Sequence, residues 1–275
     1  MSKTLNKSDV KKEFESFENE IKKKAVISKN KIKLINSLSQ KKFRDETDLF
    51  VAEGTKLVLD LAQTFRCSIL AATSAWLDEY SRFEADEIIE IDENELSKIS
   101  NQKSPQGVLA VFTKPNHSWD KDTLKEKLSL ALDDVQDPGN LGTIIRIADW
   151  FGITDIFCSA HSVDAYNTKT VQATMGALSR VRVHTVSLVD FLQSVAHEIP
   201  VYGTFMDGYN IYDKTLQKHG IIVMGNEGNG ISSEIEKLVT ERLLIPNFPI
   251  GQATSESLNV GVATALVCAE FRRRS

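Results

Sequence analysis

The sequence predicts an α/β fold with a mostly parallel sheet, and two observations lead to that prediction. Short apolar runs alternate with helical or loop segments along most of the 275 residues. The runs in the second half are continuously apolar, which is typical of strands that are covered on both faces. Ligands of such sheets bind at the carboxyl ends of the strands, so the loops after the strands are the places to search for a site.

The first half of the chain divides into three predicted parts. Residues 1–27 form a charged helical tail with a thin apolar stripe. Residues 28–113 form a compact α/β unit with helical patterns over 32–42 and 55–64. Its strand candidates are LFVAEG, CSILAA, EIIEI and PQGVLAVF. Residues 114–127, which are polar and contain a proline, are predicted to be a linker.

A second α/β unit is predicted over residues 128–275. Each of its strand candidates is followed by a helical or loop segment, which is the order expected for a parallel sheet. The candidates are 128–133, 155–158, 181–185, 201–205, 221–224 and 243–245.

Composition excludes several classes of protein. The longest apolar stretch near the C-terminus, 260–269, is far shorter than the roughly 20 residues that cross a bilayer. The N-terminus is charged where a secretory signal needs an apolar core, so we expect a cytoplasmic protein. Three scattered cysteines and five scattered histidines offer no metal-ligand spacing and no Cys/His nucleophile. We therefore expect no metal.

Charge is unevenly distributed although the net charge is −5. Every charged residue from 22 to 44 is basic, whereas acidic residues outnumber basic residues between 45 and 95. A basic strip of this kind is a candidate contact for RNA phosphates, with Lys41, Lys42 and Arg44 as its last members. A solvated helix face explains the charges equally well.

The loop after the first strand of the second unit, DVQDPGNLGTIIRIADWFG, predicts a helix start. Asn140 is a plausible N-cap, and the apolar side chains recur on one face of the helix that follows. Arg146 lies off that face, so its side chain should project away from the core. Spacing alone does not distinguish a functional arginine from an ordinary surface cation.

The stretch IIVMGNEGNG, 221–230, combines a buried strand with a glycine-rich loop. It matches neither GxxxxGK[ST] nor GxGxxG, and no lysine or arginine lies between Lys218 and Lys237. Glu227 would repel a phosphate. The loop therefore favours a neutral or cationic ligand that approaches the backbone closely.

The last loop, LLIPNFPIGQATSESLNVGVATALVCAEFRR, leads into a helix that is apolar nearly all round and is predicted to be buried on most sides. Ser257 and Asn259 stand at its start. Ser257 as a simple N-cap is an alternative to a functional role. Gly261 would let a second element pack closely.

Taken together and in this order, NLGTIIRIADWFG, VMGNEGNGIS and IP…SLNVGVATAL resemble the three motifs of the SpoU (TrmH) family of RNA ribose methyltransferases, in the SPOUT class. QKKFRDETDLFVAEGTKLV also resembles the L30e-like substrate-binding domain that precedes the catalytic domain in many members. The resemblance covers nearly everything after residue 27.

The resemblance implies a C-terminal α/β knot, a deep trefoil that is a rare exception to unknotted topology. It implies S-adenosylmethionine as cofactor, structured RNA as substrate with rRNA favoured over tRNA, and a homodimer. Gly225, Ile245 and Leu258 would contact the cofactor. The implied catalytic residues are Asn140, Arg146, Glu227, Ser257 and Asn259.

Two alternatives stay open. Arg146 is either a proton acceptor or a phosphate anchor, and anchoring is favoured because a guanidinium with a pKa above about 12 is a poor base. The chain is an RNA ribose-2′-O-methyltransferase or a non-catalytic RNA-binding factor that keeps the fold. Two departures from the family pattern, the longer loop between Pro246 and Ser257 and Gly261 where serine is frequent, indicate a subfamily variant.

Overall fold

The chain builds two β-sheets, each flanked by helices. The structure, a computed structural model, describes residues 27–249 and 257–273. Residues 1–26 of the tail predicted over 1–27, and residues 250–256 of the loop before Ser257, therefore lie outside the described residues. All ten strands that the sequence predicts are present, with bounds that differ by a few residues.

The first sheet has four strands in the order β1-β4-β2-β3. The pairs β1/β4 and β2/β4 are antiparallel, and β2/β3 is parallel. The strands are β1 (Leu49–Glu53), β2 (Cys67–Ala72), β3 (Glu87–Glu90) and β4 (Val108–Thr113). The helices around them are α1 (Lys29–Ser37), α2 (Lys41–Thr47), α3 (Thr55–Ala62), α4 (Ser74–Glu79) and α5 (Glu93–Ile99).

The single helix predicted over 32–42 is two helices, α1 and α2. The carbonyl oxygens of Leu38 and Ser39, in the turn between them, accept hydrogen bonds from Nη1 of Arg44 at 2.7 and 2.9 Å. The apolar periodicity continues through the turn, but the backbone carbonyls bond to a side chain, so the helix stops there.

The second sheet has six strands in the order β10-β8-β9-β5-β6-β7, and every neighbouring pair is parallel. The strands are β5 (Leu128–Leu132), β6 (Asp155–Ser159), β7 (Arg182–Val186), β8 (Val201–Asn210), β9 (Gly220–Met224) and β10 (Glu241–Leu244). The helices are α6 (Lys121–Lys125), α7 (Pro138–Trp150), α8 (Thr168–Thr174), α9 (Leu188–Val195), α10 (Ser233–Glu236) and α11 (Val260–Arg273).

Both faces of the second sheet are covered, as the continuous apolar runs predict. Along β5, Leu130 and Leu132 pack into the core on one face, and Ala131 packs into a separate core on the other. Because successive side chains of a strand point to opposite faces, a strand between two cores needs apolar residues at every position.

Strand β8 is longer than predicted and is interrupted. Arg242 of β10 pairs with Gly203, but the next residue, Leu243, pairs with Tyr209, so residues 204–208 bulge out of the ladder. The guanidinium of Arg242 lies 3.7 Å from the ring centroid of Phe205 and forms ion pairs with Asp207 and Glu236. The bulge is therefore held in one shape.

The two sheets share one apolar core. Phe50 of β1 and Tyr166, which precedes α8, lie in the same cluster with ring centroids 5.0 Å apart. The predicted linker, 114–127, contains helix α6, and its assignment as a domain boundary stays a prediction.

Among the described residues, no helix is both long enough and apolar enough to cross a membrane. The cytoplasmic location stays a prediction.

Candidate active site

A cavity of about 370 Å³ opens where β8, β9 and β10 meet the start of α11. It brings together five of the residues that the sequence singled out, Gly225, Glu227, Ile245, Ser257 and Leu258. Its other walls are Thr204, Phe205, Met206, Met224, Asn226, Gly228, Gly230, Ile231, Leu244, Val260 and Ala263. Three loops that are distant in the chain thus meet at one edge of the parallel sheet, where such sheets bind ligands.

The glycine-rich loop forms a closed turn at the edge of this cavity. The backbones of Asn226 and Gly230 exchange two hydrogen bonds, both 2.9 Å long. A Cβ atom on Gly225 would lie 2.2 Å from the carbonyl carbon of Gly230, so only glycine fits there. The Asn226 Nδ2 atom donates to the backbone oxygen of Asp134, which ties the loop to the end of β5.

The charge of the cavity agrees with the expectation that it does not hold phosphate. Glu227 is the only ionisable side chain among the described residues that line it. The apolar walls and one carboxylate suit a ligand that is apolar in part and neutral or positively charged.

Helix α7 begins at a different residue from the one predicted. Its N-cap is Asp137, whose Oδ1 accepts the backbone N–H of Asn140 at 2.7 Å. The prediction that Asn140 is the N-cap is wrong, because Asp137 and Pro138 start the helix three residues earlier. The side chain of Asn140 is therefore free to make contacts outside its own helix.

A chain of hydrogen bonds joins all three motifs. Asn259 Nδ2 donates to Asn140 Oδ1 at 2.9 Å, and Asn140 Nδ2 donates to Glu227 Oε1 at 2.7 Å. Asn259 directly precedes α11, Asn140 lies on α7, and Glu227 belongs to the glycine-rich loop. Since a carboxamide both donates and accepts, Asn140 is the member that can link the other two.

Asn259 has a second role as the cap of α11. Its Oδ1 accepts the N–H groups of Gly261 and Val262 at 3.0 and 3.3 Å. Ser257 lies two residues before the cap, so the alternative that Ser257 is the simple N-cap is wrong. Gly261 faces Thr143, whose Cγ2 atom would lie 3.2 Å from an added Cβ, so α11 and α7 pack closely there.

Arg146 is exposed on α7, as its position off the apolar face predicts. Within the described residues it forms no hydrogen bond or ion pair, and it does not line the cavity. Glu227 bonds to Asn140 and not to Arg146. The guanidinium thus remains available for a ligand that binds beside the cavity.

The basic strip is only partly a surface feature. Arg44 is 1% exposed and forms a salt bridge with Asp164 at 2.7 Å, so the prediction that it contacts RNA is wrong. Its guanidinium is used to join the two halves of the protein. Lys41 and Lys42 are exposed, and each pairs with the acidic residue four positions later, Asp45 and Glu46. Their contact with RNA stays a prediction.

The three cysteines lie in the apolar cores. Burial raises the pKa of Cys67, Cys158 and Cys268 to about 12 in each case, so all three remain thiols at neutral pH and none is an activated nucleophile. Among the described residues, no group of histidine, cysteine and carboxylate side chains could hold a metal ion.

The sequence did not indicate two parts of the site. Thr204 and Met206 line the cavity and belong to the bulge in β8, and nothing in a short apolar run signals such a bulge. Asp137 could have been found, since an acidic residue before proline is a common helix start.

Comparisons with known proteins agree with this geometry. The family described as SpoU rRNA Methylase matches residues 127–269, and the MRM3-like substrate binding domain matches residues 29–110. The chain belongs to the SpoU rRNA methylase family. Its α/β fold with a substrate-binding part ahead of the catalytic part is confirmed, and the knot stays a prediction.

Relatives of this SpoU chain extend over almost its whole length. The 23S rRNA (guanosine(2553)-2′-O)-methyltransferase RlmP of Bacillus subtilis is 31% identical, covering 88% of this chain and 96% of the relative. A TrmH-family protein from Porphyromonas gingivalis is 42% identical with a TM-score of 0.84, covering 91% of this chain and all of that one. An AdoMet-bound rRNA methyltransferase from Sinorhizobium meliloti is 30% identical with a TM-score of 0.79, covering 90% of this chain and 95% of that one.

Proposed function

We propose that this protein transfers a methyl group from S-adenosylmethionine to a ribose 2′-hydroxyl of ribosomal RNA. The observation that carries the proposal is the hydrogen-bond chain Asn259–Asn140–Glu227 beside a glycine-walled cavity. This chain fixes three loops to one another at the edge of a parallel sheet. The name of the Bacillus subtilis relative supports both the ribose 2′-hydroxyl and rRNA as the target.

The cavity fits the cofactor in size and in charge. Its volume of about 370 Å³ lies within the range of small-ligand pockets, about 300–1,000 Å³. Gly225 leaves the backbone open to close approach, and Ile245 and Leu258 offer apolar contacts. The carboxylate of Glu227 suits the positively charged sulfur of S-adenosylmethionine, and the AdoMet-bound relative supports the same assignment.

When bound, S-adenosylmethionine supplies a methyl group that its sulfonium already activates. The residues of the chain must then align the ribose oxygen with that methyl group and assist loss of the hydroxyl proton. No metal is needed for this methyl transfer.

Arg146 is proposed to anchor an RNA phosphate beside the cavity. Its guanidinium is exposed and unpaired among the described residues, and a planar fork of donors matches phosphate geometry. Asn140, Glu227 and Asn259 are proposed to hold the three loops that they join in fixed positions. Ser257 is proposed to contact the ribose or the cofactor. Anchoring agrees better with a permanently charged guanidinium than proton abstraction does.

The test is transfer of tritium from labelled S-adenosylmethionine to ribosomal RNA that was isolated from cells lacking the gene. Alkali cannot cleave the bond after a 2′-O-methylated ribose, so the label should appear in alkali-resistant dinucleotides. Label on a base would contradict the proposal.

A second outcome would support the non-catalytic alternative. If calorimetry detects no binding of S-adenosylmethionine while the protein still shifts ribosomal RNA in a gel, the protein is an RNA-binding factor with the SPOUT fold. Binding of both ligands without transfer to any RNA would also count against the methyltransferase proposal.

The active form is proposed to be a homodimer in which α7 and α11 face a second copy. Arg272 Nε donates to the backbone oxygen of Phe151, so the two helices run side by side from Thr143 to their ends. They expose apolar side chains that a lone chain would leave in water, namely Trp150, Val262 and Leu266.

Light scattering coupled to gel filtration tests the dimer. Val262→Glu together with Leu266→Glu should convert a species of twice the chain mass into a monomer, because each carboxylate would be buried without a partner. Ile88→Glu, at an exposed apolar residue of the first sheet, is the matched control and should leave the mass unchanged. A dimer that survives the double substitution would place the contact elsewhere.

A further inference from the structure

A second cavity, of about 330 Å³, lies between the two halves of the protein. Residues from both halves line it, and the Nε2 atom of Gln102 donates to the Oε1 atom of Gln172 across it at 3.2 Å. Six of the seven lining residues are of polar types, although most of the surface that they present to the cavity belongs to carbon atoms. The residues are Glu53, Asn101 and Gln102 from the first half and Thr168, Lys169, Gln172 and Ala173 from α8.

Glu53 gives this cavity a buried carboxylate. The residue is 6% exposed and accepts hydrogen bonds from the hydroxyl of Ser100, from the backbone N–H of Asn101 and, at 3.5 Å, from Nδ2 of Asn101. Among the described residues it has no cationic partner. A carboxylate has about four acceptor positions, so Glu53 can accept about one further hydrogen bond, and burial makes a further donor stabilising.

Two lysines beside the cavity are free of carboxylate partners. Lys169 lines the cavity and Lys103 directly follows Gln102; both are exposed, and neither forms an ion pair with a described residue. Lys41 and Lys42, by contrast, each have an acidic partner on their own helix. Phosphates are therefore attracted more strongly to the rim of the cavity than to the strip around α2.

The cavity is connected to the candidate active site through two packed helices, α8 and α7. An added Cβ on Gly142 would lie 2.4 Å from the Cβ of Ala173, so α7 and α8 are in close contact there. Gly142 is two residues from Asn140, whose side chain lies on the other side of α7. Helices α8 and α7, each about 10–12 Å across, thus lie between the two sites, and one extended RNA strand can reach both.

We propose that this interdomain cavity binds an unstacked guanine of the RNA substrate, close to the nucleotide that is methylated. The inference rests on the proposed function. Guanine presents the adjacent donors N1–H and N2–H₂ on one edge and the acceptors O6 and N7 on another. Glu53 accepts from the first edge, Lys169 and Gln172 donate to the second, and Lys103 and Lys169 neutralise the flanking phosphates.

The first experiment measures methylation kinetics with ribosomal RNA as the varied substrate. The variant Lys169→Ala/Gln172→Ala should raise KM for the RNA at least about tenfold, since it removes donors to charged and polar groups. Its kcat should stay within about twofold, because the reacting atoms are untouched. The matched control, Gln193→Ala/Lys218→Ala, changes an exposed glutamine on α9 and an exposed lysine before β9 and should leave both constants unchanged.

Glu53 is tested separately because it also supports the backbone after α5. Glu53→Gln removes the charge and keeps a side chain of the same size, and circular dichroism and the melting temperature report whether it still folds. If it folds, its KM for the RNA should rise as well. If it does not fold, the Lys169/Gln172 variant still decides the proposal.

The second experiment identifies the base. Ribosomal RNA transcribed with 6-thioguanosine is irradiated in complex with the protein, and cross-linked peptides are identified by mass spectrometry. Cross-links to the peptides that contain Gln102 or Lys169 are expected. Cross-links there from 4-thiouridine RNA, and none from 6-thioguanosine RNA, would overturn the assignment of guanine.

These outcomes separate the inference from the proposed function. If wild-type protein methylates ribose and the Lys169/Gln172 variant has the same KM for RNA as its control, the cavity is not an RNA subsite while the function stands. If the wild-type protein transfers no methyl group to RNA, the proposed function fails first, and the cross-linking result alone then decides whether guanine occupies the cavity.

Discussion

Arg44 lies on α2 and Arg146 lies on α7, and the surroundings of the two arginines are opposite. Arg44 is 1% exposed, and its guanidinium donates to Asp164 and to the carbonyl oxygens of Leu38 and Ser39. Arg146 is exposed and bonds to no described residue. The sequence predicted an RNA contact for both.

The difference shows that a basic residue must be classified by its partners. A guanidinium is removed from water only where carboxylate and carbonyl oxygens replace its hydration, as they do around Arg44. A guanidinium without such oxygens stays in water and can bind a phosphate. The first arginine is therefore structural, and the second is available for function.

The largest effect is expected for Arg146→Ala. Loss of the phosphate anchor should lower kcat/KM for RNA methylation by about 100- to 1,000-fold, because the ribose is no longer held in line with the methyl group. The melting temperature should shift by no more than about 1 °C, as for an ordinary surface change. Tritium transfer and thermal unfolding measure the two effects.

Arg66→Ala is the control for this comparison, since Arg66 is an exposed arginine that pairs with Asp86 in the first sheet. It should change neither activity nor stability appreciably. Normal turnover in Arg146→Ala would remove Arg146 from the site.

The next effect is on stability and concerns Arg44. Arg44→Ala leaves Asp164 without its partner at the boundary between the two halves, which should lower the free energy of unfolding by about 3–5 kcal/mol. Urea denaturation followed by circular dichroism measures this. The double change Arg44→Met/Asp164→Leu should recover much of the loss, because no charge is then left unpaired. A single variant as stable as the wild type would show that the pair contributes little.

Glu227 lies between these two cases, since it is part of the site and has a hydrogen-bond partner. Glu227→Ala removes both the charge and the acceptor for Asn140, and kcat should fall about 10- to 100-fold. Glu227→Gln keeps the acceptor, so most of kcat should remain while the affinity for the cationic cofactor falls about tenfold. Calorimetry with S-adenosylmethionine and single-turnover transfer separate the two effects. Equal losses of kcat in both variants would mean that the charge itself is needed.

The smallest effect is expected for Lys41→Ala/Lys42→Ala. Both lysines already pair with carboxylates one helical turn away, so the net charge near α2 is small. RNA binding should weaken slightly, and the slope of log Kd against log salt should change by about 1 or less. Fluorescence anisotropy at several salt concentrations measures the slope. A change as large as that of Lys103→Ala/Lys169→Ala would show that the basic strip contacts RNA after all.

The elements and the order of the motifs were predictable from the sequence. Continuous apolar runs predicted β5 and β9 because a strand between two cores needs apolar residues at every position. The absence of a cation around Glu227 predicted that the glycine-rich loop would not hold phosphate, and the lining of the cavity agrees. These features depend on residues that are close to one another in the chain, so the sequence alone indicates them.

Contacts between distant residues were not predictable in this way. The sequence could not show that Asn140 lies between Glu227 and Asn259, or that Thr204 and Met206 of the β8 bulge line the cavity. Nor could it show that Glu53 and Gln172 share a cavity. The members of each set are far apart along the chain. The order of the strands in the second sheet brings Asn140, Glu227 and Asn259 together, and the packing of the two halves brings Glu53 and Gln172 together.

By itself, then, the sequence determined the α/β class, the three motifs, and the chemistry that each loop can offer. The tertiary structure decided which charges are buried and which are free, and for Arg44 it reversed the sequence-based prediction. The physical reason is that apolar periodicity is set by neighbouring residues, whereas the burial of a charge depends on partners such as Asp164, 120 residues away.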